Sequence, residues 1–168
     1  MINRQDDQFK NGLFTWFIGS ICDIDDPLNL NRVKVCAYGY YDGMESHDDL
    51  PWATVMMPVT SASMKGNGGN HHLEVGSWVI GFFRDGPSAQ DPIVIGSIAT
   101  QTDGVQDIPS TASTTNKVYH SKAGHQIEIE NKEGDEQIKI KHGKSGATMI
   151  FDKDGNIAVN AKIIKLNA

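Results

Sequence analysis

Six histidines, two cysteines and several clustered carboxylates are the side chains of this chain that could do chemistry, and their spacing decides what they can do. His71 and His72 offer two imidazoles, but neighbours on an extended chain project in different directions, and no cysteine or third ligand stands near them in sequence. A loop pair is a better reading than a metal site. His47 with Asp48 and Asp49 could ligate a cation, yet an acidic loop cluster is the simpler account. Asp152-Lys153-Asp154-Gly155-Asn156 begins like a calcium loop, lacks the downstream glutamate and lies between two apolar alternations, so it reads as a hairpin turn. Cys22, Cys36 and the serines of Ser61 to Ser63 have no His or Asp partner that the sequence can place, which leaves nucleophilic catalysis without support. No catalytic residue, metal ligand or cofactor-binding residue is assigned, and a nonenzymatic protein without a cofactor is expected.

The aromatic residues Trp16, Trp52, Trp78, Phe82 and Phe83 could form a stacking platform for bases. They alternate with apolar positions and lack a basic surround, so packing in a core is the expectation. Charge points the same way. Residues 1–115 hold 14 acidic and 6 basic side chains, whereas residues 116–168 hold 7 acidic and 9 basic. Tracking a phosphate backbone needs lysines and arginines to displace counterions, so an acidic first part argues against a nucleic-acid partner. The alternating signs of the tail suit a solvated outer face.

The elements that would position these residues are strands. Residues 1–12 are polar and patternless and read as an N-terminal arm. From Leu13 two long strand-like runs (LFTWFIGSICDID and LNLNRVKVCAYG) flank Asp25-Asp26-Pro27 as a hairpin. A third run spans Trp52 to Val59, with Pro58 marking its end. Thr60 to His72 is a glycine-rich loop, and Glu74 to Gly86 and Asp91 to Ile98 are two further runs. Five strands with no amphipathic helix predict a small barrel over 13–99, with Gly76, Gly81 and Gly96 at its bends. The Ser/Thr-rich stretch 100–117 reads as a linker. No apolar run is long enough for a membrane span and no signal peptide opens the chain, so cytosolic folding is expected, with Cys22 and Cys36 as free thiols and a cross-strand disulfide as the alternative.

Residues 118–168 carry the clearest periodicity. Ile127, Ile129, Ile138, Ile140, Met149, Phe151, Ile157, Val159, Ile164 and Leu166 fall on every second position of five short runs, with polar residues between them and turn clusters separating the first four. Burying ten such side chains does not offset the entropy of ordering the backbone that bears them. The tail is therefore expected to gain its interior from other copies, as an intertwined, closed homo-oligomeric β-helix without exposed sheet edges. These ten residues are the predicted core of the oligomer. Five strands at ~4.8 Å each give a needle on the order of 25 Å long. The facing of Ile163 against Ile164 stays open, since only one can point to the axis.

Several stretches in order resemble the central spike proteins of contractile injection machines: contractile-tailed phages, type VI secretion systems and phage-tail-like bacteriocins. They are Asn31 to Val35; Leu50-Pro51-Trp52-Ala53 with Met57 to Ser63; Val75 to Phe83 with Asp85-Gly86 and Asp91 to Gly96; and Ser121 to Ala168 with His125, Ile127, Glu128, Ile129 and Asp154-Gly155-Asn156-Ile157. The resemblance implies an all-β protein: an N-terminal oligonucleotide/oligosaccharide-binding (OB) barrel followed by a trimeric β-helical prism. It implies a virion baseplate location after assembly in the host cytoplasm. It further implies docking on a tail-hub trimer through the barrel, and mechanical piercing of the bacterial outer envelope on sheath contraction. Some family members carry a lysozyme domain where this chain has only its linker, and some end in a His-x-His iron-binding tip that is not found here. A run that ends in strand pattern at Ala168 leads to the expectation of a separate tip-capping protein. The alternatives are a cargo-bearing spike of a type VI-like secretion system and, in a different class, a single-stranded nucleic-acid-binding OB protein.

Overall fold

Alternation of apolar and polar side chains builds this chain almost entirely from strands, as the computed structural model shows for residues 14–44, 46–70 and 72–165. The predicted arm 1–12, Leu13, His71 and Leu166 lie outside the described residues. The strands are β1 (Thr15–Asp23), β2 (Val33–Ala37), β3 (Trp52–Val55), β4 (Trp78–Phe83), β5 (Pro92–Ser97), β6 (Gln101–Thr102), β7 (Val105–Gln106), β8 (Asn116–His120), β9 (Gln126–Glu130), β10 (Gln137–Lys141), β11 (Thr148–Asp152) and β12 (Ile157–Asn160). Two compact units divide the chain, 1–99 and 100–168.

In the first unit five strands close into a barrel in the order β1-β2-β3-β5-β4. All pairings are antiparallel except β3 with β5. Its interior is filled by Phe17, Ile21, Val33, Val35, Ala37, Ala53, Val79, Phe83, Ala89 and Val94. The alternation on β4 turns Val79, Gly81 and Phe83 inward, and Gly81 is there because a side chain would collide with the Phe17 ring and the Ile93 carbonyl. The ladder between β4 and β5 also shifts register at this position.

The same alternation corrects the expectation for the aromatics. Phe83 is in the core, but Trp16 and Trp78 stand on the outer surface with 54% and 40% exposure, because their neighbours Phe17 and Val79 take the inward positions. Phe82 is half-buried, and Trp52 lies under the cations of Arg32 and Lys34. Cys22 and Cys36 are joined as a disulfide rather than free: the antiparallel pairing of β1 with β2 brings their Cα atoms to 5.9 Å, within bonding reach.

The β1–β2 connection is held by one buried carboxylate. Asp26 accepts hydrogen bonds from the backbone N–H groups of Leu28 (3.0 Å) and Leu30 (2.8 Å) and from Arg32 Nε (3.1 Å) and Nη2 (2.6 Å). The Arg32 guanidinium, more than the backbone donors, holds the Asp26 carboxyl well below its usual value of 3.8. A carboxylate depressed in the folded state adds stability that is full above the ordinary carboxylate range and is lost as pH falls below it. Asp26→Asn is expected to lower the midpoint of thermal unfolding by several degrees at neutral pH and to flatten the acid limb of its pH profile. Calorimetry across the acid range checks this, and an unchanged acid limb would count against the role given to Asp26. A second clip is the Tyr41 hydroxyl, which donates to the Ala89 carbonyl (2.5 Å). Burial, with a smaller contribution from the Asp85 charge, pushes this phenol up to about 12.

In the second unit β8 to β12 form a five-stranded sheet in the order β12-β11-β10-β9-β8, with every neighbouring pair antiparallel. Each ladder is thus supplied within the chain, where the sequence reading had the strands bond to those of other copies. Tight turns at Glu133-Gly134-Asp135, Gly143 to Gly146 and Asp154-Gly155-Asn156 return the chain each time, which makes a sequential meander the shortest solution. The fifth strand of this sheet is β8; of the last run, Lys162 to Lys165 are in no strand and the remainder lies outside the described residues. The expected linker contains the β6–β7 hairpin and the first residues of β8.

Candidate functional site

The register of the tail sheet sorts its residues into two faces. Directly opposed residues form one row Lys117–Ile129–Ile138–Phe151–Ile157 and a second row Tyr119–Ile127–Ile140–Met149–Val159. Residues paired across antiparallel strands share a side, so eight of the ten predicted core residues gather on one face as two adjacent stripes. Of the other two, Ile164 lies beyond β12, exposed and outside any strand like its neighbour Ile163, and Leu166 lies outside the described residues.

That face is bare. The eight residues are 37% to 61% exposed, and Tyr119, whose place the sequence reading missed, is 68% exposed. The signal for Tyr119 was present in the Lys117/Tyr119 alternation but short and flanked by charge. A contiguous apolar patch rimmed by polar residues is the kind of surface that marks an interaction site.

The opposite face is mostly polar, and Thr111 packs against it at the β8–β9 end. Gln126 is buried, and its amide donates to Thr111 Oγ1 (3.2 Å) and Glu128 Oε2 (3.1 Å). Asn116 Nδ2 reaches both the Thr111 carbonyl and Glu128 Oε1, each at 2.8 Å. Opposite charges meet across this face where Glu128 pairs with Lys139 in the ladder. The hydrophobic side thus faces solvent while the polar side is in part covered, the reverse of a lone soluble sheet.

The other candidate sites resolve locally. Asp152 Oδ1 accepts from the N–H groups of Asp154 (3.0 Å) and Asn156 (2.9 Å), and Oδ2 accepts from Asn156 Nδ2 (3.0 Å), so this carboxylate is spent on closing a turn. Those bonds, Asn156 foremost, lower its pKa. His72 borders an open depression near Asp25, Asp26 and Asn70. His47 opens a 3-10 helix (His47–Asp49) capped by Ser46, whose Oγ accepts from the Asp48 N–H (3.1 Å). The serines of 61–63 contact one another and backbone, with Ser61 Oγ accepting from the Gly69 N–H (2.9 Å).

A closed five-stranded barrel of this strand order is an OB-fold module, here followed by a sheet with one uncovered apolar face. The chain belongs to the Gp5 N-terminal OB domain family, whose model matches residues 36–167. It is 39% identical over 79 residues to the pre-baseplate central spike protein Gp5 of Enterobacteria phage T4, a match covering 42% of this chain and 14% of that protein. It is 36% identical over 92 residues to protein Gp5 of Vibrio phage KVP40, covering 49% of this chain and 21% of that protein. The chain thus spans about a fifth or less of the length of these relatives. The resemblance to phage central spike proteins read from the sequence is borne out by these matches.

Proposed function

We propose that the chain is a nonenzymatic structural component of a phage baseplate spike, and that three copies bring their tail sheets together as the three walls of a β-prism. The observation that carries this reading is the exposure of the tail sheet's apolar face, two stripes of large hydrophobic side chains in water on an otherwise polar sheet. Three such sheets facing a common axis bury the stripes of Ile127, Ile129, Ile138, Ile140, Met149, Phe151, Ile157 and Val159 against one another and leave the charged rows outside. Strands then lie across the axis, and thrust along it is borne by many hydrogen-bonded ladders in parallel. The barrel docks on a tail-hub trimer, for which its outward Trp16, Tyr38, Trp78 and Ile80 offer a surface, and contraction drives the prism through the bacterial outer envelope.

The mass in solution tests the assembly. Light scattering should give a three-chain mass for the full chain and a one-chain mass for a version ending at Thr115. A full chain that stays monomeric at micromolar concentration would remove the basis of the proposal.

A further inference from the structure

The fold brings together three metal-ligating side chains that lie far apart in sequence and that the tail-based function does not use. The Sγ atoms of Cys22 and Cys36 and a ring nitrogen of His47 all lie within 4.8 Å of one another. Cys22 sits on β1 where the ladder to β2 shifts register between Ile21 and Asp23, and Cys36 on β2 is paired with Ser20, two positions before it. His47 arrives from the 3-10 helix laid over this part of the barrel. That helix is held from three sides: Ser46 caps it, Lys34 Nζ donates to the Asp48 carbonyl (3.0 Å), and Leu50 beside it is buried. The ligand atoms therefore belong to a rigid sheet and a pinned loop, and do not need a folding event to meet.

We propose that in its reduced form this triad holds a zinc ion. Two thiolates and one imidazole are soft and borderline donors of the kind zinc takes in tetrahedral sites. Zinc bonds of about 2.3 Å to sulfur and 2.0–2.1 Å to nitrogen set ligand atoms roughly 3.4–3.8 Å apart. The nitrogen and both sulfurs lie within 4.8 Å of one another, at most about an ångström beyond this spacing, and side-chain rotation closes the difference once the S–S bond is broken. A cavity of about 110 Å³, lined by Cys36, Tyr38, Tyr41, Asp42, Met44 and His47 among others, adjoins the triad and has room for a water as fourth ligand. Both cysteines are half-buried and His47 is exposed, so the ion has a path in.

The disulfide and the zinc site are alternatives of one set of atoms. Two equivalents of a low-molecular-weight thiol reduce the Cys22–Cys36 bond, yielding two protein thiols and one small-molecule disulfide. Zinc then displaces the two thiol protons to solvent and takes the neutral His47 nitrogen. Oxidation by a disulfide reverses both steps and expels the ion. The triad is thus a metal site in a reducing compartment and a covalent cross-link outside one.

Dialysis of the full chain against zinc, after reduction with a phosphine, tests this by elemental analysis of bound metal. One zinc per chain is expected for the reduced protein and none for the oxidised protein. His47→Ala, at an exposed position that leaves the fold in place, should weaken binding by at least about tenfold, and Cys22→Ser/Cys36→Ser should abolish it. Cobalt in place of zinc should show a thiolate-to-metal charge-transfer band that His47→Ala alters. Absence of stoichiometric zinc in the reduced chain would overturn the proposal. So would zinc binding unaffected by His47→Ala, or retained without the cysteines, since other histidines would then be the ligands.

Discussion

A chain carrying Ile138→Lys and Ile140→Lys is expected to have one-third of the solution mass of the parent protein. Both side chains lie on β10, the middle strand of the tail sheet, and each stands in one of its two apolar rows. Burial of an isoleucine is worth ~1.5–3 kcal/mol, so removing two from each of three chains costs an assembly roughly 9–18 kcal/mol before any charge is considered. Two ammonium groups per chain facing a shared axis add desolvation and mutual repulsion. The in-chain ladders are not touched, since backbone groups make them. All three tryptophans precede the tail, so their fluorescence reports on the barrel alone. Trimeric mass persisting in this variant would show that the apolar rows are not the interface.

The second large effect belongs to the barrel. Phe17→Ala is expected to cost ~3–5 kcal/mol of barrel stability, a large part of the ~5–15 kcal/mol that a domain possesses. Phe17 is 1% exposed, its ring centroid is 4.8 Å from that of Phe83, and the strand opposite gives up a side chain at Gly81 to admit it. Such a cavity cannot close easily, because it is walled by backbone on the Gly81 side and by the closed sheet elsewhere. Denaturant unfolding followed by tryptophan fluorescence measures the loss. A change below about 1 kcal/mol would mean that the core repacks around the gap, contrary to the fit of Phe17 into the space over Gly81.

Much of the architecture was legible because it is written in period two. Ile127/Ile129, Ile138/Ile140, Met149/Phe151 and Ile157/Val159 marked β9 to β12 and the shared face that the ladders confirm. The barrel strands were placed for the same reason, and glycines and prolines bounded them. What escaped the sequence depends on neighbours that periodicity does not name. Trp16 and Trp78 sit in phase with outward positions, but hydrophobicity alone ranked them with Phe17 and Val79. A run of alternating residues says which side is dry but not whose strand pairs with it, so the in-chain meander looked like an inter-chain ladder. The meeting of Cys22, Cys36 and His47 arises from barrel closure and a loop fold, and 11 residues separate even the nearer cysteine from the histidine. No spacing rule would have joined them.

The polar character of one flank of the tail sheet, on which Thr111 packs against Asn116 and Gln126, has a consequence for how far assembly can go. A plate adhesive on both sides would stack without limit, layer upon layer, toward fibrils. Here one side is polar and charged, so sticky surface is available in a single direction. Copies that turn those surfaces toward each other use them up, and growth halts at a finite particle.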